Sequence, residues 1–143
     1  MIYTRENMLK FGKKNFEEFF EKLGNREQGS LLGCITEIAI VHNRKAQATD
    51  NDGYDMIENG LEKEIKSCFK YNMGYARWGN ITSKLNKCDA FIFIDGVMNK
   101  EYEVPHDVVF FEMSIAPSSG GEIRTTEHNL SILNRYEIIT GEK

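Results

Sequence analysis

The sequence predicts an α/β (α+β) fold, with helices and strands in the order helix, helix, hairpin, helix, strand, strand, helix, strand. Three observations carry this expectation. Two stretches of helical periodicity precede the first strand signals. Asn59-Gly60 stands between strand-like residues, the strongest short-range signal of a β-hairpin. AFIFID, residues 90–95, is a continuous apolar run of the kind buried on both faces of a sheet. At 143 residues the chain is expected to form a single domain, 1–143, large enough for one core.

From Thr4 to Leu23, the apolar residues Met8, Leu9, Phe11, Phe16, Phe19, Phe20 and Leu23 recur at three- and four-residue steps. This predicts a helix, with a break at Gly12 and a stop at Gly24-Asn25. The phenylalanines are expected in the core or at a subunit contact. Gln28 to Arg44 predicts a second, largely buried helix capped by Ser30, with Leu31, Leu32, Ile35, Ile38, Ala39 and Val41 around most of its circumference. Glu37 lies inside that apolar pattern, and a buried carboxylate needs a partner. Either it forms a salt bridge or sits at an exposed edge, or it is a third acid aimed at a site on the following strands. His42 suits the negative end of the helix dipole. Residues 45–53, KAQATDNDG, form a polar surface loop. Its Asp50 and Asp52 lack the spacing of an EF-hand.

The hairpin organises the chemistry. With Asn59 and Gly60 at the two central turn positions, Glu58 pairs with Leu61, Ile57 with Glu62, Met56 with Lys63, and Asp55 with Glu64. Side chains alternate along a strand, so Lys66 joins Asp55 and Glu64 on one face. Opposed carboxylates repel, a sensible arrangement if a divalent cation sits between them. Mg²⁺ takes oxygen ligands, typically one or two carboxylates plus waters and substrate phosphate. A neighbouring lysine positions or deprotonates a water, or neutralises charge developing on phosphate. The set suits metal-assisted phosphodiester hydrolysis; a solvated hairpin of mixed charge is the simpler alternative.

Residues 68–87, CFKYNMGYARWGNITSKLNK, interleave cations with aromatic rings. Lys70, Arg77, Trp78, Asn80 and Lys84 are the nucleic-acid candidates, since cations meet phosphates and rings stack on exposed bases. A core aromatic cluster with solvated lysines is the alternative. Asn80 to Lys87 is expected to be a helix, Ala90 to Asp95 a strand, VVFFEMS within Val104 to Ser114 a strand, and APSSGG a flexible loop. Thr125 to Arg135 predicts a helix capped by Thr125 or Thr126, and YEIIT, Tyr136 to Thr140, a last short strand. The stretches 72–80 and 117–124 are expected to touch bases or backbone.

Glu37 in a helix before the sheet, Asp55 on the first hairpin strand, and Glu64-Ile65-Lys66 on the second resemble the PD-(D/E)xK nuclease superfamily, which includes many type II restriction endonucleases. The resemblance covers residues 31–95, with Tyr54 rather than proline before Asp55. It implies a restriction-endonuclease-like mixed sheet flanked by helices. It implies that Asp55 and Glu64 bind Mg²⁺ (or Mn²⁺), with the Ile65 carbonyl as a further ligand, and that Lys66 activates or orients the attacking water. Glu37 becomes an auxiliary acid, DNA the substrate cleaved to a 5′-phosphate, and a homodimer the assembly, since two strands need two sites. A non-catalytic nucleic-acid-binding or regulatory module on the same fold is the alternative, and a metal-dependent hydrolase of RNA or nucleotides a third.

Composition sets the limits. Hydrophobic content of 41% and charged content of 28% are those of an ordinary soluble protein. No run approaches the ~20 apolar residues that span a bilayer, and the start, MIYTRENMLKFGKK, lacks a signal-peptide core. Cys34, Cys68 and Cys88 show no CxxC spacing, which points to reduced thiols and a cytoplasmic location. A net charge of −4 argues against wrapping DNA through charge alone, but not against a nuclease whose acids hold metal.

Overall fold

A computed structural model describes residues 3–51 and 53–139. Contacts group the chain into two compact units, residues 1–32 and 33–143.

In the first unit, α1 (Arg5–Glu21) begins at Thr4, whose hydroxyl accepts the Asn7 N–H at 3.2 Å. The helix runs through Gly12 without a break. None of its residues is buried, and Phe11 and Phe19 are 58% and 54% exposed. The phenylalanines are therefore not core in this chain, contrary to that half of the expectation. α2 (Asn25–Arg44) starts at Asn25, three residues before the expected start and ahead of Ser30, and passes from the first unit into the second. Its expected burial is also corrected: only Ile40 is buried, and Ile38 is 69% exposed.

The second unit is built on a five-stranded mixed sheet. Its strands are β1 (Gln47–Ala48), β2 (Met56–Glu58), β3 (Leu61–Cys68), β5 (Ala90–Asp95) and β6 (Lys100–Pro105), in that spatial order. β3 and β5 are parallel; the other neighbours are antiparallel. The chain between β3 and β5 holds β4 (Arg77–Trp78). With β7 (Ile115–Ala116) and β8 (Glu122–Arg124), β4 forms a second sheet in the order β4-β8-β7. The result is an α/β fold with a five-stranded mixed sheet and a small three-stranded one.

Alternation along β5 explains its continuous apolar run. Phe91 and Phe93 enter the larger core with Trp78, Tyr102, Val104, Ile123 and Leu133. Ile92 faces the other way, against Ile40 of α2, Met56 and Ile65. Beside this smaller core, Arg44 at the end of α2 donates to Glu58 at 3.0 Å and Glu103 at 2.7 Å and contacts Glu101; Lys63 bonds the same Glu58 and Glu103 at 2.6 and 3.0 Å. That network ties α2 to the sheet.

Several elements differ from expectation. The run VVFF is helical, α3 (His106–Phe111), and the strand precedes it as β6. Pro105 ends the strand and sits at the helix cap, where its missing N–H removes no bond. Val108 and Val109 are buried while Phe111 is 76% exposed, the mark of helical rather than two-residue spacing. The helix expected at 80–87 is only a 3₁₀ turn, Thr82–Lys84, bracketed by Asn80 and Asn86 with φ of 56° and 62°, outside the helical region. APSSGG is not loose: Asn80 N–H donates to Ser119 O at 2.8 Å and Ile81 N–H to Gly121 O at 3.0 Å. Gly121 has φ 88°, and a Cβ there would meet Thr82 Oγ1 at 2.1 Å, so only glycine fits. α4 (Glu127–Leu133) follows with Thr126 as its cap, as expected. Of YEIIT, Glu137 makes one bridge to Tyr102 instead of a strand; Thr140 lies outside the described residues, as does Asp52 of the polar loop. No helix among the described residues is long and apolar enough to cross a membrane.

Candidate functional site

The turn at Asn59-Gly60 has φ of 53° and 79°, the left-handed pair that a type I′ hairpin requires. The ladder then pairs Glu58 with Leu61, Ile57 with Glu62 and Met56 with Lys63, as the sequence predicts. The next step differs. Asp55 N–H donates to the carbonyl of Lys63 at 2.9 Å, so Asp55 and Met56 both face one residue, the arrangement of a β-bulge. Asp55 is not opposite Glu64 in the ladder. The bulge turns its carboxylate onto the neighbouring strand, where Oδ2 accepts the Ile65 N–H at 2.8 Å.

Glu64 and Lys66 project from the same face of β3. Lys66 Nζ lies 3.5 Å from Glu64 Oε2, and Lys84 Nζ reaches that same oxygen, also at 3.5 Å, from the 3₁₀ turn. The other oxygen, Glu64 Oε1, is buried with no hydrogen-bond partner. A buried carboxylate oxygen without a partner is costly and calls for explanation. Burial, then the Asp55 charge, pushes the Glu64 carboxyl up to about 7, while Lys66 and Lys84 pull the other way. Glu37 is half-buried and raised for the same two reasons, burial first and Asp55 second. It shares with Asp55 a cleft of about 670 Å³ that is also lined by His42 and Lys45. Three acids and two lysines therefore act on one another here. Cys88 lies beside them, and burial followed by the Glu64 charge pushes its thiol up to about 12, which leaves it inert as a nucleophile.

If a hard cation such as Mg²⁺ were held here, the oxygen donors would be the unpartnered Glu64 Oε1 and the carboxylate of Asp55, whose charge acts on Glu64. Among the described residues, however, no group of three or more His, Cys, Asp or Glu side chains is disposed to hold a metal ion. The fit therefore rests on two carboxylates completed by backbone carbonyl, water or substrate oxygens.

A search of solved structures places the chain beside a bacterial homing endonuclease, I-Ssp6803I. The TM-score is 0.50 and the identity 20%, over 73% of this chain and 78% of that one. Such a likeness shows a shared fold. No family model matches the chain, and no curated protein does.

The residues singled out for nucleic acid divide. Trp78 is 1% exposed and its indole N–H donates to Ile94 O at 3.1 Å. It is a core residue with no ring face for a base, and this corrects the expectation. Arg77 is held by Glu122 at 3.1 Å and by Asn72 O at 3.0 Å, so its charge is already paired. Lys70 and Asn80 are exposed. Lys84 lies at the carboxylates. Nothing in the spacing of the sequence signals that position; it follows from the turn between Asn80 and Asn86.

Proposed function

We propose that this chain is a Mg²⁺-dependent DNA endonuclease of the PD-(D/E)xK type, restriction-like in its catalytic kit, acting in the cytoplasm. One observation carries the reading: Asp55, Glu64 and Lys66 act on one another on the β2–β3 hairpin, where Glu64 Oε1 is buried and unpartnered. The fold likeness to a protein described as a homing endonuclease supports it.

In this reading Asp55 and Glu64 hold the cation, and the Ile65 carbonyl is a third oxygen. Ile65 N–H points toward Asp55, and the carbonyl of a strand residue points to the same side as its N–H. When bound, the cation polarises the scissile phosphate and lowers the pKa of an attacking water. Lys66 orients that water or offsets negative charge growing on the phosphate. Glu37 acts through Asp55 and the shared cleft as an auxiliary acid. DNA is the substrate. A homodimer places one site on each strand, and the exposed phenylalanines of α1 offer apolar surface for a second copy to cover.

Plasmid nicking with Mg²⁺ or Mn²⁺ tests the proposal. Wild type nicks; Asp55→Ala, Glu64→Ala and Lys66→Ala each lose at least about 100-fold, the scale of removing one stabilising group. Normal cutting by all three variants overturns it.

One observation favours a second reading, a nucleic-acid-binding module without catalysis: the lack, among the described residues, of a three-residue metal group. A metal titration separates the two. The module binds DNA and never nicks it, at any Mn²⁺ concentration.

A further inference from the structure

The chain makes a second two-residue turn. Asn72 N–H donates to Tyr75 O at 3.1 Å and Tyr75 N–H to Asn72 O at 3.3 Å, which closes a tight hairpin over Met73 and Gly74. Their φ angles are 54° and 83°, nearly those of Asn59 and Gly60. Both turns therefore hold left-handed backbone at both central positions. At the first turn asparagine meets that need, since its short amide tolerates the left-handed region. At the second the residue is methionine, whose Cβ crowds the following carbonyl there. Four of the other non-glycine residues with positive φ among the described residues are asparagines, and Met73 is the one apolar residue in that set.

The fold recovers little for this cost. Met73 is 85% exposed, so its side chain packs against almost nothing in the chain. The turn beneath it is held firmly. Arg77 Nε donates to Asn72 O at 3.0 Å, and its guanidinium lies over the Tyr75 ring at 5.8 Å. The next residue, Ala76, is buried; its N–H donates to Thr125 Oγ1 at 2.9 Å and its carbonyl accepts the Thr125 N–H at 3.1 Å. An apolar side chain thus stands at the tip of a fixed prong. Backbone strain that burial does not repay points to a role outside the fold.

Charge says what the tip meets. The chain carries a net charge of −4, yet residues 65–88 hold no aspartate or glutamate beside their lysines and arginine. Lys70, two residues before the turn, is exposed. An apolar tip in basic surroundings fits a polyanion with an apolar interior, and stacked base pairs are one. Proteins kink a duplex by inserting Met, Leu, Phe or Ile between base steps while cations hold the phosphates. One side chain offers too little apolar surface to hold a bilayer.

We propose that Met73 is a wedge that enters duplex DNA between two base pairs, with Tyr75 beside it, and that the DNA this chain takes is DNA that unstacks easily, at a pyrimidine–purine or mismatched step. This rests on the DNA reading above and narrows it to a class of substrate.

The test measures fluorescence anisotropy of two labelled duplexes with the metal-free protein: one fully paired, and the same sequence with a central C·C mismatch. Wild type is expected to bind the mismatched duplex about tenfold more tightly, because its step is already unstacked. Met73→Asn is expected to bind the two with nearly equal affinity and to melt at or above wild type, because asparagine suits the turn as it does at position 59. Met73→Leu is expected to keep the preference. Equal binding of the two duplexes by wild type overturns the inference; if that chain still nicks plasmid, the endonuclease reading stands. A preference that survives in Met73→Asn also overturns it, including where that variant instead loses self-association or binding to anionic vesicles, which assigns the tip to another partner. A lower melting temperature for Met73→Asn removes the strain on which the inference stands. A wild-type chain that binds neither duplex removes the DNA reading, and the inference with it.

Discussion

Glu64 is the residue on which the site turns. Burial and Asp55 hold its carboxyl at about 7, against an ordinary 4.5. A group whose folded pKa is raised stabilises the fold fully below its unfolded pKa and loses that contribution as pH rises through the folded one. The window is pH 4.5 to 7, and the amount at stake is about 3 kcal/mol. Glu37 is raised as well and adds in the same direction. Glu58, lowered by its Lys63 and Arg44 partners against the opposing effect of burial, works oppositely and below this window. Thermal melts of the metal-free chain are therefore expected to fall between pH 5 and pH 7.5. Glu64→Gln, which keeps the shape without the charge, is expected to flatten that fall and to melt higher than wild type at pH 7.5. An equal slope in both proteins contradicts the assignment.

At the scale of elements, local sequence rules decided what they could. The hairpin was legible because only a few dipeptides tolerate φ > 0 at two adjacent positions, and its register followed. The Asp55 bulge was not legible, because an unpaired residue leaves no mark on an alternating pattern. VVFF read as a strand on β-branched and aromatic content, and packing of Val108 and Val109 overrode that preference. Trp78 read as a stacking platform because composition shows which residues are aromatic and says nothing of which way they face. The placement of Lys84 depends on two asparagines at positive φ and on Gly121, in a segment that read as a flexible loop. Two substitutions test these placements. Trp78→Ala is expected to destabilise the fold by about 3–5 kcal/mol, as loss of a buried aromatic does, in chemical denaturation; unchanged stability contradicts its place in the core. Gly121→Ala is expected to lower the melting temperature, because the new Cβ displaces Thr82.

For the whole molecule, a net charge of −4 means that the proposed affinity for DNA would have to come from local cationic groups and not from a broad positive field. Binding is expected to be weak and to fall steeply with added salt. Every residue of α1 is at least partly exposed, with Leu9, Phe11 and Phe19 all more than half so. Sedimentation is expected to show a dimer, and Phe19→Glu to give a monomer that nicks one strand but no longer cuts both. A wild-type monomer that cuts both strands contradicts the two-site arrangement. All of this depends on whether the hairpin carboxylates accept a divalent cation. The most direct measurement is anomalous diffraction from crystals soaked in Mn²⁺. The account predicts a peak between Asp55 and Glu64, roughly 2.1 Å from a carboxylate oxygen of each, replacing the orphaned state of Glu64 Oε1. Crystals that take up Mn²⁺ elsewhere while this position stays empty contradict it.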